Sequence, residues 1–304
     1  MTESDSFWDL YWEVRLRDIE TLGKRSAIIA ASGLVRRIAT ATGKPVRLLE
    51  LGCGEGEIIG PLVEAHAQYI HAAVGVDYNR EAIAVCKTRF PGITFIEGDF
   101  TAPELLHSLE PFDLILLVNA LHEVFSAAYS AELGEVDVDT AKARVATAFT
   151  VIAGRLAQGG YMLLFDGLEP PSDPSIKVRL RFLDTQARRH FETFAAEYRP
   201  FQVNVTRLDD PQRVELFGRD FTRYITKSIF LGKALWKSER LESYQYFTEG
   251  EFRALAAQHE LSIEALQLLT LNEEKWQRAV EIETPGIDFP VEHILMVLRK
   301  SLDR

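Results

Sequence analysis

The pattern of short apolar runs predicts an α/β protein. It implies a mostly parallel seven-stranded sheet with helices on both faces and an inserted segment that reads as largely helical. Three observations carry that expectation. The run 46–51 leads straight into Gly52, Gly54 and Gly56, after which Ile58, Ile59 and Leu62 begin a helical pattern. A strand, a glycine-rich turn and a helix in that order make a nucleotide-type site, because glycine permits positive φ and leaves no side chain between backbone and ligand. Further apolar runs at 73–77, 93–97, 114–118 and 161–166 alternate with helical stretches, as successive βα units do. Finally, runs at 261–271 and 291–299 have no helical crossover between them, which suits an antiparallel edge strand.

Taken in order, residues 5–42 read as helical and end at Gly43–Pro45. Trp8, Tyr11 and Trp12 crowd their start, and either pack on the domain or close over a ligand. A helix over 58–70 follows the glycine turn. Arg80–Phe90 is the next helix and stops at Pro91-Gly92. The continuous aliphatic run 114–118 has no polar alternation and so predicts a strand buried on both faces. Residues 127–139 read as a solvated acidic loop, without the spacing of an oxygen-ligand metal loop. A helix is expected over 140–156, capped by Gly159-Gly160. Residues 170–247 then exceed a minimal core. Their expected helices are 176–197 and 212–240, and Arg219, Arg223 and Lys227 recur at i, i+4 on what reads as a solvated face. The segment is aromatic, and across 169–245 it holds 14 Lys and Arg against 11 Asp and Glu, a basic patch on an acidic chain. Thr248 and Glu251 form a capping box that starts the last helix.

The candidate site residues stand at the ends of the predicted strands. Glu50 precedes the glycines in Glu50-x-Gly52-Cys53-Gly54-x-Gly56. Asp77 ends the second strand, where a carboxylate can accept both ribose hydroxyls, and Tyr78 follows it. Asp99-Phe100 follows the third strand, a pairing able to accept from an amine and to cover an apolar face. Asn119-Ala120-Leu121-His122-Glu123 leaves the fourth strand, whose carboxyl end faces the ligand crevice of an open α/β sheet. His122 titrates in the right range for a general base, with Glu123 a second candidate; the plainer reading of His122 is a helix-start residue that shapes the pocket.

These motifs resemble those of the class I S-adenosylmethionine (SAM)-dependent methyltransferases over roughly 45–166 and 248–300. The resemblance implies a Rossmann-like sheet with an antiparallel C-terminal strand. It implies SAM as cofactor and S-adenosylhomocysteine as product. Glu50, Gly52, Cys53, Gly54 and Gly56 would hold the methionine part, Asp77 and Tyr78 the ribose side, Asp99 and Phe100 the adenine, and Asn119 and Ala120 the methionine end. It favours a lid at 1–44 and implies a core at 45–169 and 248–304; the aromatic and basic residues of 170–247, outside the resemblance, suggest a substrate cap, with Tyr11, Trp12, Arg223 and Tyr224 as candidate substrate contacts. The activity expected is methyl transfer to an O, N or C atom of a small molecule. The alternatives are a non-catalytic SAM-binding or regulatory protein, and an RNA- or protein-directed methyltransferase.

Composition agrees with that class and excludes others. With 47% hydrophobic and 26% charged residues the chain has an ordinary globular balance, and no apolar run approaches the ~20 residues of a membrane helix. Net charge of −11 argues against broad nucleic-acid binding. The two cysteines, Cys53 and Cys86, do not suggest a disulfide framework, and the polar Met-Thr-Glu-Ser-Asp-Ser start is no secretory signal; a cytoplasmic setting is expected. No metal is expected, and a homodimer is compatible with the sequence. The spacing departs from G-x-G-x-x-G, which sets a nicotinamide oxidoreductase aside.

Overall fold

The computed structural model describes residues 22–302. Tyr11, Trp12 and the first half of the expected lid lie outside them. Helix Leu22–Thr42 leads into β1 (Val46–Leu51), β2 (Ile70–Asp77), β3 (Thr94–Glu97) and β4 (Phe112–Val118). A short hairpin, β5 (Tyr129–Ser130) and β6 (Glu135–Val136), precedes the long β7 (Leu156–Gly167). The segment that follows contributes β8 (Lys177–Phe182), β9 (Val205–Arg207) and β10 (Arg213–Phe217). The chain closes with β11 (Leu261–Leu269), β12 (Val280–Ile282) and β13 (His293–Lys300).

The main sheet has seven strands in the order β11-β13-β7-β4-β1-β2-β3. β1 pairs in parallel with β2 and β4, and β4 with β7, whereas β13 runs antiparallel to both β7 and β11. The expected fold class is therefore present, single antiparallel strand included. Burial on both faces explains the aliphatic run of β4. Leu114, Leu116 and Val118 join the apolar cluster under helix Leu22–Thr42, while Ile115 and Leu117 join the cluster on the opposite face. Each fully buried side chain of this kind contributes about 1.5–3 kcal/mol.

Several expected boundaries move. The helix after the glycine turn stops at Ala65, because the chain turns at His66, whose carbonyl accepts from Tyr69 and Ile70 N–H as β2 begins. Helix Val138–Ala153 begins earlier than expected, on Asp137, whose Oδ1 accepts from Thr140 N–H at 3.1 Å. Gly159 and Gly160 do not cap that helix. They lie inside β7, where a Cβ at Gly160 would crowd the carbonyls of Phe112 and Asp113 at an irregular register with β4. The acidic stretch 127–139 contains the β5–β6 hairpin in addition to that helix cap.

The largest correction concerns residues 170–247, which are α/β and not largely helical. A second, antiparallel sheet runs β12-β8-β10-β9, so residues 280–282, far along the chain, belong to it. Lys-Val-Arg-Leu-Arg-Phe in β8 buries every second residue, the period of a half-buried strand. Helix Thr185–Glu197 starts only after that strand, on the Asp184 side chain. On the expected solvated face of helix Gly218–Ser228 only Arg219 is exposed. Lys227 is fully buried with Nζ 2.7 Å from Glu239, and Arg223 lies over the Phe201 ring and beside Asp220.

Candidate active site

The glycine turn after β1 has the geometry that its residues allow. Gly52, Gly54 and Gly56 all have positive φ, and a Cβ at Gly52 would stand 3.0 Å from that of Ala120. The loops after β1 and β4 are thus in direct contact, which brings two of the expected cofactor stations together. Glu50 is buried, and its carboxylate accepts from Ile59 N–H at 3.0 Å. Burial pushes its pKa up to about 8 against that hydrogen bond. Cys53 is buried beneath the turn and its N–H is already donated to Val76 O.

Asp77 closes the turn from the next strand. Its carboxylate accepts from Gly54 N–H and from Asn79 N–H, both at 2.8 Å. Asn79 caps helix Arg80–Arg89. Tyr78 is exposed, and Asp99 accepts from Thr101 N–H and Oγ1–H. Tyr78, Asp99, Phe100 and Thr101 line one side of a cavity of about 830 Å³. Glu123, Val124 and residues of helix Val138–Ala153 line the remainder.

The fourth-strand station is built differently. Asn119 adopts a left-handed φ of 53° with its N–H donated to Phe165 O, and this turns the chain into helix Leu121–Ser126. His122 is buried, with Nδ1 2.7 Å from Asp166 Oδ1 and Nε2 3.5 Å from Glu242 Oε2. Asp166, at the end of β7, also accepts from Leu121 N–H at 2.8 Å and Gly167 N–H at 2.7 Å, so its charge is held by donors on every side. Burial opposes a charged imidazole, but Asp166 and Glu242 outweigh it and raise His122 to about 10. A His122 that carries its proton at neutral pH is no resting base. Glu123 is the better placed of the two: it faces the large cavity, and burial raises it to about 7 despite the neighbouring His122.

Ligand atoms of His122, Glu123 and Glu242 lie within 4.8 Å of one another, a spacing that a divalent cation can bridge. The pairing of His122 with Asp166 and Glu242 accounts for its charge without one.

Asp166 and Glu242 were not legible as site residues. An aspartate ending an apolar strand is a visible oddity in Phe165-Asp166-Gly167, but nothing in the spacing joins Glu242 to His122. Of the expected substrate contacts, Tyr224 is enclosed by Phe182, Phe191 and Phe194 inside the second layer. Arg223 is committed to Asp220 and Phe201, and neither residue lines the large cavity.

Residues 48–137 match the family described as methyltransferase domain. The stretch spans the glycine turn, Asp77, Asp99 and the His122 loop. No curated protein sequence matches the chain. Among solved structures it is similar to a SAM-dependent methyltransferase from Methanosarcina mazei at 16% identity, covering 86% of this chain and 94% of that one with a TM-score of 0.45. A second, from Mesorhizobium loti, is 17% identical over 84% and 92% of the two chains, with a TM-score of 0.45. The N-methyltransferase NodS from Bradyrhizobium japonicum, in complex with S-adenosylhomocysteine, is 14% identical over 94% and 90%, with a TM-score of 0.44. These likenesses are too distant to add detail to the site. Among the described residues no helix is long and apolar enough to cross a membrane.

Proposed function

We propose that the protein is a SAM-dependent methyltransferase acting on a small molecule. The observation that carries this reading is the large cavity. Tyr78, Asp99, Phe100 and Glu123 line it, and the Gly52–Ala120 contact brings the glycine turn against the loop that carries Glu123. Bound SAM supplies an activated methyl group on a sulfonium. The residues present suit the rest of that ligand: carboxylates at Glu50 and Asp77 for an ammonium and a ribose diol, Asp99 with Phe100 for an amino-substituted ring. Glu123, titrating near 7, takes the proton that an O or N acceptor must lose. Asp166 and Glu242 hold His122 as a fixed wall of the site, and much of the rate comes from alignment and exclusion of water.

Residues 170–247 contribute Glu242 to that wall and act as the acceptor-side cover in this reading, joined by β12. Helix Leu22–Thr42 packs on the sheet as part of the core, so the lid reading is kept only for residues 1–21, which lie outside the described residues. The test is calorimetric titration of SAM, S-adenosylhomocysteine and NAD into wild type, Asp77→Ala and Asp77→Asn. SAM binding that weakens at least tenfold in Asp77→Ala is expected. NAD binding in place of SAM would overturn the reading. Retained SAM binding with no turnover on any member of a broad acceptor panel would leave a binding protein and refute catalysis.

A further inference from the structure

A second cavity of about 20 Å³, room for one water-sized group, lies where the segment 170–247 meets the antiparallel strand. Asn119, Phe165, Phe230, Tyr244, Glu292 and His293 are among its walls. The strand register fixes its place: His293 pairs with Gly167, one residue beyond Asp166, so the cavity lies at the carboxyl edge of the sheet beside the His122 station. The Tyr244 ring stands between the two, 4.3 Å from the His122 ring and 5.8 Å from that of His293.

Three buried polar atoms on these walls have no hydrogen-bond partner: Asn119 Oδ1, Glu292 Oε2 and His293 Nδ1. Glu292 is fully buried and His293 is 6% exposed. Only one Glu292 oxygen is used, accepting from Leu271 N–H at 2.9 Å, and His293 Nδ1 stands 3.3 Å from that same oxygen without hydrogen-bond geometry. Lys227 Nζ sits over the Tyr244 ring but is spent on Glu239, so it does not neutralise Glu292. The amide and carboxylate oxygens can only accept. A buried carboxylate oxygen without a donor is costly, so the walls suit a group that donates hydrogen bonds and, to balance the carboxylate, carries a positive charge. Aromatic walls from Phe165, Phe230 and Tyr244 suit a small cation and leave no room for a bulky one.

We propose that this cavity is a recognition site for the protonated amine of an acceptor, with Glu292 and Asn119 as the residues that select it. The substrate class is then small molecules bearing an ammonium head group, whose body lies outside the cavity. The proposal rests on the methyltransferase reading for the word acceptor, but the binding event does not require SAM.

The experiment is thermal unfolding of the full chain at pH 7 and equal ionic strength in the chlorides of sodium, ammonium, methylammonium and tetramethylammonium. Wild type and Glu292→Gln are compared, and SAM calorimetry is run on both. Methylammonium and ammonium are expected to raise the midpoint over sodium by several degrees, tetramethylammonium not, and the gain is expected to vanish in Glu292→Gln while SAM affinity changes less than threefold. Equal midpoints in all four salts would mean that the cavity holds an ordered water, and an undiminished gain in Glu292→Gln would mean that the cations bind elsewhere; either result overturns the proposal. A response to ammonium without methylammonium would mean an inorganic ion site, and would also overturn the proposal. If Glu292→Gln does not fold, saturation-transfer NMR of methylammonium on wild type decides: transfer from aromatic protons supports the site, and its absence refutes it. Loss of SAM binding in wild type would sink the methyltransferase reading and leave these arms intact.

Discussion

The two sides of the site are made in different ways. On the proposed cofactor side, Glu50, the glycine turn, Asp77 and Asp99 each stand at a strand end, and each carboxylate is already held by a nearby backbone N–H. On the proposed acceptor side, His122, Asp166 and Glu242 come from three separated stretches and meet only through the end of β4, β7 and the inserted segment. The cofactor side is thus a set of local devices, each tolerable on its own. The acceptor side is a network whose members depend on one another for their charge. Damage should therefore stay local on the first side and spread on the second.

The network offers the largest test. Asp166→Asn leaves a buried imidazole facing neutral and acidic neighbours without its closest carboxylate, and should cost about 3–5 kcal/mol in urea unfolding. A loss under about 1 kcal/mol would show that the two sides do not differ in this way. Next comes Glu123→Gln. If Glu123 is the base, kcat/KM of the wild type rises with pH through about 7 as the carboxyl loses its proton. The variant should lose about a hundredfold in rate, and that rising limb with it. A limb that survives in the variant assigns it to another group.

Gly167→Ala probes the seam between the layers. Its Cβ would overlap the carbonyl of Tyr244, where the inserted segment crosses the end of β7. A loss of about 1–3 kcal/mol is expected, with SAM affinity falling less than acceptor turnover. Equal loss of both would mean that the seam serves the whole site.

Glu50 gives a smaller, purely thermodynamic signal. Burial raises its pKa to about 8, so in the free protein it favours the neutral carboxyl. Its contribution to stability is complete below about 4.5 and is lost as pH rises through about 8. A ligand ammonium reverses the preference, so SAM binding at pH 7 should release part of a proton. Calorimetry in two buffers of different ionisation enthalpy reads that release, and Glu50→Gln should abolish it. The smallest effect belongs to the exposed pair Arg37–Glu264, 3.2 Å apart. Arg37→Ala should move stability by about 0.2–1 kcal/mol and leave both sides of the site untouched.

What was legible follows the same division. β1 and β4 read correctly because parallel strands buried on both faces are continuous apolar runs, and the residues at the ends of β1 to β4 are found by counting. The second sheet was misread where aromatic and basic residues suggested helices. The alternation in Lys177–Phe182 was present in the sequence, but β8 acquires its partners from 213–217 and 280–282, which no local window contains. His122 was located correctly, whereas its charge state could not be: that depends on Asp166 and Glu242, which are 44 and 120 positions away along the chain. Arg223 and Tyr224 failed as substrate contacts for a related reason, since helical phase says which residues share a face and not what covers it.

By itself the sequence determined the sheet class, the glycine turn with its flanking carboxylates, and the edge of the sheet at which ligands belong. These depend on backbone preferences and on the period of buried residues, both set within a few positions. Only the tertiary structure decided that Glu123 faces the cavity while His122 is locked away, and that Asn119, Glu292 and His293 share one small space. Burial and opposing charge act through space, across whatever separation the chain happens to impose.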